Sequence, residues 1–488
     1  MHNSDHKYKE QRQTAGNSKK SPLSKSAASK PDFRGAKGYP PANKSPKSAT
    51  SNSRGVSHAS QTAPRTPRME RREQYYTEKL RQAALEPRTE DANDFAGLLV
   101  EAAVNLGCSV ERRSSEPLAE LDYATELKIK NAALAKFFKK HGIPGEVATL
   151  TASPRPRHYR TNSKRRALYR HGRLNLLFSE HFPSEYESSQ LEADFHENIY
   201  RNILKICAPA HFSPLSKALN YVIIRGSYDK CGIIFNVRTI NGEVVRKIRT
   251  LSDNLRQLHP QIISVFVFVD ESSSDYYLES SRPGGGVGIK KIYGSEFLEL
   301  KLGEMKFLYS PFSFSQVNES LLKFFVNQVG ELLHLTCEHR LLDLYCGYGL
   351  FGIALGGQAK CVVGMELDGF SLQSAVGNAK HLRPGKRIQY LGASIDADSV
   401  VKLLPQSPMP EMIIADPPRS GMLPGVVEEL AARGAEKVVH IFCGTDEIPN
   451  AVREWGENGY KPVKIIPLDM FSGTLNLETI ILFEPQKN

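Results

Sequence analysis

A thiol, three carboxylates and a glycine-rich turn lie along the last third of the chain, each beside a run of apolar residues. The turn holds Gly347, Gly349 and Gly352, in "LLDLYCGYGLFG", with apolar residues on both sides. That is the outline of a strand, a tight turn and a helix start. It can cradle a dinucleotide or an adenosyl group on backbone amides. Glu366 closes the next apolar run, "VVGMELD". A carboxylate there can accept hydrogen bonds from both ribose hydroxyls, and NAD sites place an acid likewise, so these two features leave the cofactor open. "IIADPPRSG" then sets Asp416, Pro417, Pro418 and Arg419 at a strand end, and the two prolines make a stiff lip that cannot join a ladder. "VVHIFCGTD" ends a strand on Cys443, ahead of Gly444, whereas a structural cysteine more often faces the core within its strand. Glu478 opens the last apolar run, in "NLETIILF". A thiol and a carboxylate around a bound donor are the parts of covalent group transfer, one as nucleophile and one as base. The seven cysteines include no C-x-x-C pair, so neither a zinc site nor an iron–sulfur cluster is expected.

With these pieces in this order, the sequence resembles the RNA uracil-C5 methyltransferases, a family that methylates uridine in tRNA or ribosomal RNA. The matching segments are "SFSQVN", "DLYCGYG", "GMELD", "DPPRSG", "FCG" and "DMFSGTLNLE", and the resemblance covers the chain firmly from about residue 300. It implies a class I, Rossmann-like domain that binds S-adenosyl-L-methionine. Gln316, Tyr345, Gly347, Gly349, Glu366 and Asp416 would contact this donor. Cys443 would be the nucleophile and Glu478 the base that removes the C5 proton. The chain departs from the family's usual pattern at Leu350, at Gly444 and Thr445 after the cysteine, and at Asn476. Those departures bear on substrate orientation and donor affinity rather than on the chemistry. Two other readings stay open: an RNA amino-methyltransferase using the Asp-Pro-Pro lip, which would need no cysteine, and an RNA-binding homologue without turnover. An NAD enzyme is disfavoured, because nothing supplies an acid–base pair for hydride transfer.

The elements that must position these residues follow from the pattern of apolar runs. From 313 to 488, seven candidate strands rich in Val, Ile and Leu alternate with helical stretches, which predicts a doubly wound α/β domain. Residues 151–312 predict a β-rich α+β domain facing RNA, with an antiparallel sheet from 220 to 306 and turns at Asn241-Gly242 and at 282–288. Residues 91–150 show apolar spacings of three and four and predict helices of no assigned role. Within residues 155–173, eight bases (Arg155, Arg157, Arg160, Lys164, Arg165, Arg166, Arg170 and Arg173) interleave with His158, Tyr159, Tyr169 and His171, a composition suited to phosphates and unstacked bases.

The charge is uneven. Of 64 Lys/Arg and 53 Asp/Glu, residues 1–88 hold 19 and 7, so the excess of +11 sits in this Ser-, Pro- and Gly-rich tail. Too few apolar residues occur between 1 and 90 to offset the ordering entropy, so disorder is expected, with a helical stretch at 66–86. A basic tail of this kind concentrates near polyanions. No run long and apolar enough for a membrane span or a secretory leader is present, so a cytoplasmic monomer acting on RNA is expected.

Overall fold

The computed structural model describes residues 95–112, 114–178, 188–270, 288–367 and 369–486, all within one unit, Ser57–Asn488. The expected tail, the 66–86 helix, the strand candidate "DYYLESS" and most of the 282–288 turn lie outside them.

The first described elements are two helices, Phe95–Asn105 and Tyr123–His141, followed by a short strand, β1 (Glu146–Val147). The second helix starts at Asp122, whose carboxylate accepts from the Thr125 amide, and stops at Gly142, which takes the left-handed conformation at φ 59°. Both helices bury apolar faces: Phe95, Leu98 and Leu99 from one, Ile129, Leu134 and Phe137 from the other. Their partner is the large C-terminal sheet, which gives the 91–150 segment a structural place.

The central region forms a six-stranded sheet from β2 (Asn162–Arg170), β3 (Arg173–Leu177), β4 (Leu219–Gly226), β5 (Cys231–Val237), β6 (Ile262–Val269) and β7 (Gly288–Gly294), in the order β3-β2-β4-β5-β6-β7. The expectation of a purely antiparallel sheet is corrected here. β5 and β6 run parallel, joined through the helix Gly242–Leu258. Asn241-Gly242 is not a hairpin turn, because the Asn241 side chain accepts from the Val244 amide at 2.9 Å and caps that helix. Asparagine serves a turn and a helix cap equally well. The distinguishing signal is the spacing of Val244, Ile248, Leu251 and Leu255, all buried on one helical face. Helices Asp194–Cys207 and Gly242–Leu258 cover one side of this sheet. Tyr221, Ile223, Ile234, Phe266 and Phe268 line the other, against Phe312. A hairpin of β8 (Leu298–Leu302) and β9 (Met305–Tyr309) then leads into the helix Glu319–Leu333.

All seven strands expected after residue 330 are present: β10 (Arg340–Leu344), β11 (Cys361–Glu366), β12 (Ile388–Gly392), β13 (Glu411–Ala415), β14 (Lys437–Phe442), β15 (Tyr460–Leu468) and β16 (Glu478–Pro485). With β1 they make an eight-stranded sheet, ordered β1-β15-β16-β14-β13-β10-β11-β12. β16 is antiparallel to both of its neighbours, and the other pairings are parallel. Every residue of β10 and β13 is buried. Alternate side chains supply two cores: Leu342, Leu344, Ile413 and Val438 face the N-terminal helices, while Leu341, Met412, Ile414 and Val439 face Glu319–Leu333 and the β8–β9 hairpin. Connections reverse direction between β10 and β13, so the crevice at their carboxyl ends is the expected ligand position.

Phe137 is 1% exposed and meets Phe95 and Phe138 edge-on, at 5.7 and 5.8 Å between ring centres. Phe137→Ala should lower the unfolding free energy by about 3–5 kcal/mol. Urea unfolding should show that loss in the transition of the C-terminal sheet, not in a separate earlier one.

Candidate active site

Parallel strands end together, and here their ends carry the residues singled out by the sequence. Leu344 pairs with Ala415 and with Met365, so Tyr345, Asp416 and Glu366 emerge side by side. The antiparallel insertion of β16 adds the last group. Phe442 pairs with Thr479, which sets Cys443, one residue on, against Glu478, one residue back.

The glycine turn is held from below by Asp343, whose Oδ2 accepts from the Gly352 amide at 2.7 Å. A Cβ at Gly352 would meet that oxygen at 2.7 Å, and one at Gly349 would meet the Tyr390 hydroxyl at 2.6 Å, so both positions need glycine. A Cβ on Gly347, in contrast, would point into open space. The Gly347 amide donates to Glu366 Oε2 at 2.8 Å, and the Leu367 amide to Oε1 at 3.0 Å. Each of those oxygens keeps a lone pair for a ligand hydroxyl. Tyr345 sits in left-handed backbone at φ 60°, a costly conformation for a side chain with a Cβ, and its buried hydroxyl has no partner. Gln316 is buried in the loop just before Glu319–Leu333 rather than within that helix. An unpartnered hydroxyl, an open glycine face and a carboxylate at a strand end suit an adenosyl group, and strand pairing brings Tyr345, Gly347, Glu366 and Asp416 to one crevice.

Three loops close the other side. A Cβ on Gly444 would lie 3.6 Å from the Arg419 carbonyl, and one on Gly421 would lie 3.4 Å from Glu447, so the lip and the cysteine loop touch. The Arg419 guanidinium lies over the Phe471 ring at 5.9 Å. Burial raises the Cys443 thiol to about 12, and the nearby Glu478 and Asp416 carboxyls add to this while Arg419 opposes it. Glu478 is raised well above the usual carboxylate range by burial and by Asp416, again opposed by Arg419. Burial together with Asp343 and Glu366 brings Asp416 to about 7. The resting site therefore holds a protonated thiol among carboxyls that give up protons reluctantly. Arg419 is the cation that both groups share, a role its place in the lip did not reveal. Asp343 was also missed, although an acid at the end of the strand entering a glycine turn is a legible signal.

The basic stretch at 155–173 divides into two sets. Arg165 is fully buried, bonded to both Glu192 oxygens at 2.7 and 2.8 Å and stacked on Tyr200. Arg157 bonds Glu126 and the carbonyls of Leu118, Ala119 and Leu121. Tyr159 is buried and donates to the Ser472 carbonyl. These three are engaged internally and cannot grip RNA as expected: Arg165 lies on the covered face of β2, and Arg157 and Tyr159, ahead of that strand, are bonded to Glu126 and to backbone carbonyls. Lys164, Arg170, His171 and Arg173 are exposed.

Doubly wound topology, with a glycine turn, an acid and a proline lip at the point of reversal, defines a Rossmann-like methyltransferase architecture. The crystal structure of Pyrococcus abyssi tRNA (uracil-54, C5)-methyltransferase in complex with S-adenosyl-L-homocysteine has this fold: the TM-score is 0.58, at 21% identity over 76% of this chain and 86% of that one. The expected resemblance to RNA methyltransferases is borne out among curated relatives. An uncharacterized RNA methyltransferase of Caldanaerobacter subterraneus subsp. tengcongensis is 25% identical over 381 residues, covering 75% of this chain and 81% of the relative. Another, of Halalkalibacterium halodurans, is 24% identical over 382 residues, covering 75% and 80%. No family model matches the chain.

The electrostatics can be read through the thiol. At pH 9, below its raised value of about 12, Cys443 should alkylate with iodoacetamide far more slowly than the exposed Cys337. Asp416→Asn removes a neighbouring negative charge, lowers the thiol's pKa and should speed labelling at position 443 roughly three- to tenfold. Peptide mass spectrometry gives both rates, and equal labelling of Cys443 and Cys337 in the unaltered protein would contradict the environment described.

Proposed function

We propose that the protein transfers a methyl group from S-adenosyl-L-methionine to C5 of a uridine in RNA, with Cys443 as nucleophile and Glu478 as base. The observation that carries this reading is the β14–β16 register, which sets a thiol against a buried carboxyl beside the crevice at the strand reversal. RNA as substrate class is supported by the names of the curated relatives.

The donor, when bound, supplies an electrophilic methyl group on a cationic sulfur. Tyr345, Gly347, Glu366, Gln316 and Asp416 would hold it. The rest falls to the protein. C5 of uracil is a weak nucleophile until the ring's conjugation is broken. Cys443 Sγ gives up its proton to water and bonds to C6, which makes C5 an enolate carbon able to take the methyl group. Glu478 then removes the C5 proton, the S–C6 bond breaks, and the thiolate leaves with the ring restored. Because burial raises both groups, the free protein is poised against premature thiolate formation, and Arg419 is the positive charge that favours ionisation when the site fills. A stacked or paired uridine must be drawn out to reach Cys443, at a few kcal/mol. We assign the flanking phosphates to the exposed bases along β2 and β3, Lys164, Arg170 and Arg173.

A tRNA and rRNA mixture transcribed with 5-fluorouridine should form a donor-dependent covalent adduct with the protein, mapped by mass spectrometry to Cys443. Cys443→Ala should abolish the adduct and 5-methyluridine formation while calorimetric donor binding persists. Glu478→Gln should cut turnover by about 10²-fold or more and let a covalent complex build up on ordinary RNA, since elimination lacks its base. Turnover by Cys443→Ala would favour an amino-methyltransferase instead.

A further inference from the structure

The loop from Asp469 to Gly473 connects β15 to the turn before Glu478, and it is gripped at every residue. Beneath it lies a buried set of charges. Lys130 Nζ is 2.7 Å from Glu126 Oε1 and 2.7 Å from Asp469 Oδ1, with all three side chains 0% exposed. Arg157 Nη1 lies 2.9 Å from Glu126 Oε2, and the Tyr123 hydroxyl donates to Asp469 Oδ2 at 2.8 Å. Two carboxylates thus face two cations, and the cluster is neutral. From there the grip follows the loop. The Asp469 amide donates to the Thr151 carbonyl, and Asn318 Nδ2 donates to the Met470 carbonyl. Lys130 Nζ donates to the Phe471 carbonyl at 3.4 Å, and the Tyr159 hydroxyl to the Ser472 carbonyl at 3.0 Å. Gly473 donates to Glu126 Oε1, and its carbonyl accepts from the Leu118 amide. A Cβ at Gly473, which sits at φ 78°, would strike the Leu191 side chain at 2.6 Å, so the position needs glycine. Apart from Asn318, each of those partners lies between residues 118 and 159, more than 300 positions from the loop.

The same N-terminal region reaches the cysteine loop. Asp446, three residues past Cys443, accepts from the Phe95 amide at 2.7 Å, at the start of the helix Phe95–Asn105. The backbone between them is Gly444 and Thr445, which carry no ring to stiffen it.

A buried ion cluster is weak grounds for stability, because desolvation offsets most of the attraction; its better-attested use is to specify one arrangement. Here the arrangement it specifies is that of Phe471, on which Arg419 rests, and of the chain entering Glu478. We propose that Lys130, with Glu126 and Asp469, is a positioning element for the transfer reaction: the 95–159 segment sets the two loops that carry Phe471, Glu478 and Cys443, and touches none of the reacting atoms itself. Asp446 is the second contact through which it does so. This inference rests on the uracil-C5 reading above.

The test uses the full chain in single-turnover adduct formation with 5-fluorouridine RNA. Lys130→Met keeps the length of the side chain and removes its charge. Donor and RNA affinities should stay within about threefold, while the rate constant for adduct formation falls by about 30-fold or more at full amplitude, as expected for a misplaced nucleophile and lip. Asp446→Leu should slow the same step, and Asp446→Asn, which keeps an acceptor oxygen, should restore it. A merely structural cluster gives the opposite signature: reduced amplitude, because fewer molecules fold, at an unchanged rate constant. That result, or a Lys130→Met rate within twofold of the unaltered protein, overturns the proposal. If Lys130→Met does not fold, Glu126→Gln, which keeps an oxygen for the Gly473 amide, is read by the same two criteria. Absence of any adduct in the unaltered protein overturns the uracil-C5 reading itself, and shows before any variant is made.

Discussion

The structure turns on the pairing of β16 between β14 and β15. A purely parallel sheet would put every strand's carboxyl end at the crevice, and a side chain at the start of a strand would lie at the far edge. Reversing one strand brings the start of β16 to the edge that carries the crevice, and its register with β14 sets Glu478 beside Cys443. A slip of one residue would turn Glu478 to the other face of the sheet. Ile480 and Leu482 enter one core while Ile481 and Phe483 enter the other, so the strand is clamped on both faces. Packing of these four residues holds the strand in place, and its register with β14 decides which side chain faces Cys443.

The cost of this arrangement is electrostatic. A thiol and two carboxyls share a largely buried space: burial raises the proton affinity of all three, Asp416 raises that of Glu478, and both carboxyls raise that of the thiol. Arg419 is the compensating cation, placed by its own loop and by the Phe471 ring beneath it.

Much of this was legible in the sequence, because strands buried on both faces read as unbroken apolar runs, and functional residues sit where those runs stop. Cys443, Asp416, Glu366 and the glycine turn could be placed at strand ends without coordinates. The partner of each was harder to read. Nothing local to "DYATELKIKNAAL" says that Lys130 neutralises Asp469, because a lysine at helical spacing reads as a solvated face. The same blindness affected Arg157, Arg165 and Tyr159, which composition assigned to RNA and the fold assigned to its own interior. Asn241 failed differently: one residue type serves turns and helix caps, and only the apolar spacing after it decides.

The position of β16 also has a bearing on how the protein is made. It follows both of its neighbours in the chain, yet its place lies inside the sheet, with β14 on one side and β15 on the other. Until it arrives, those two strands present open edges, and the nascent chain holds a cysteine without its neighbouring glutamate. A chain stalled short of residue 478 therefore leaves both edges exposed to pairing with other unfinished copies.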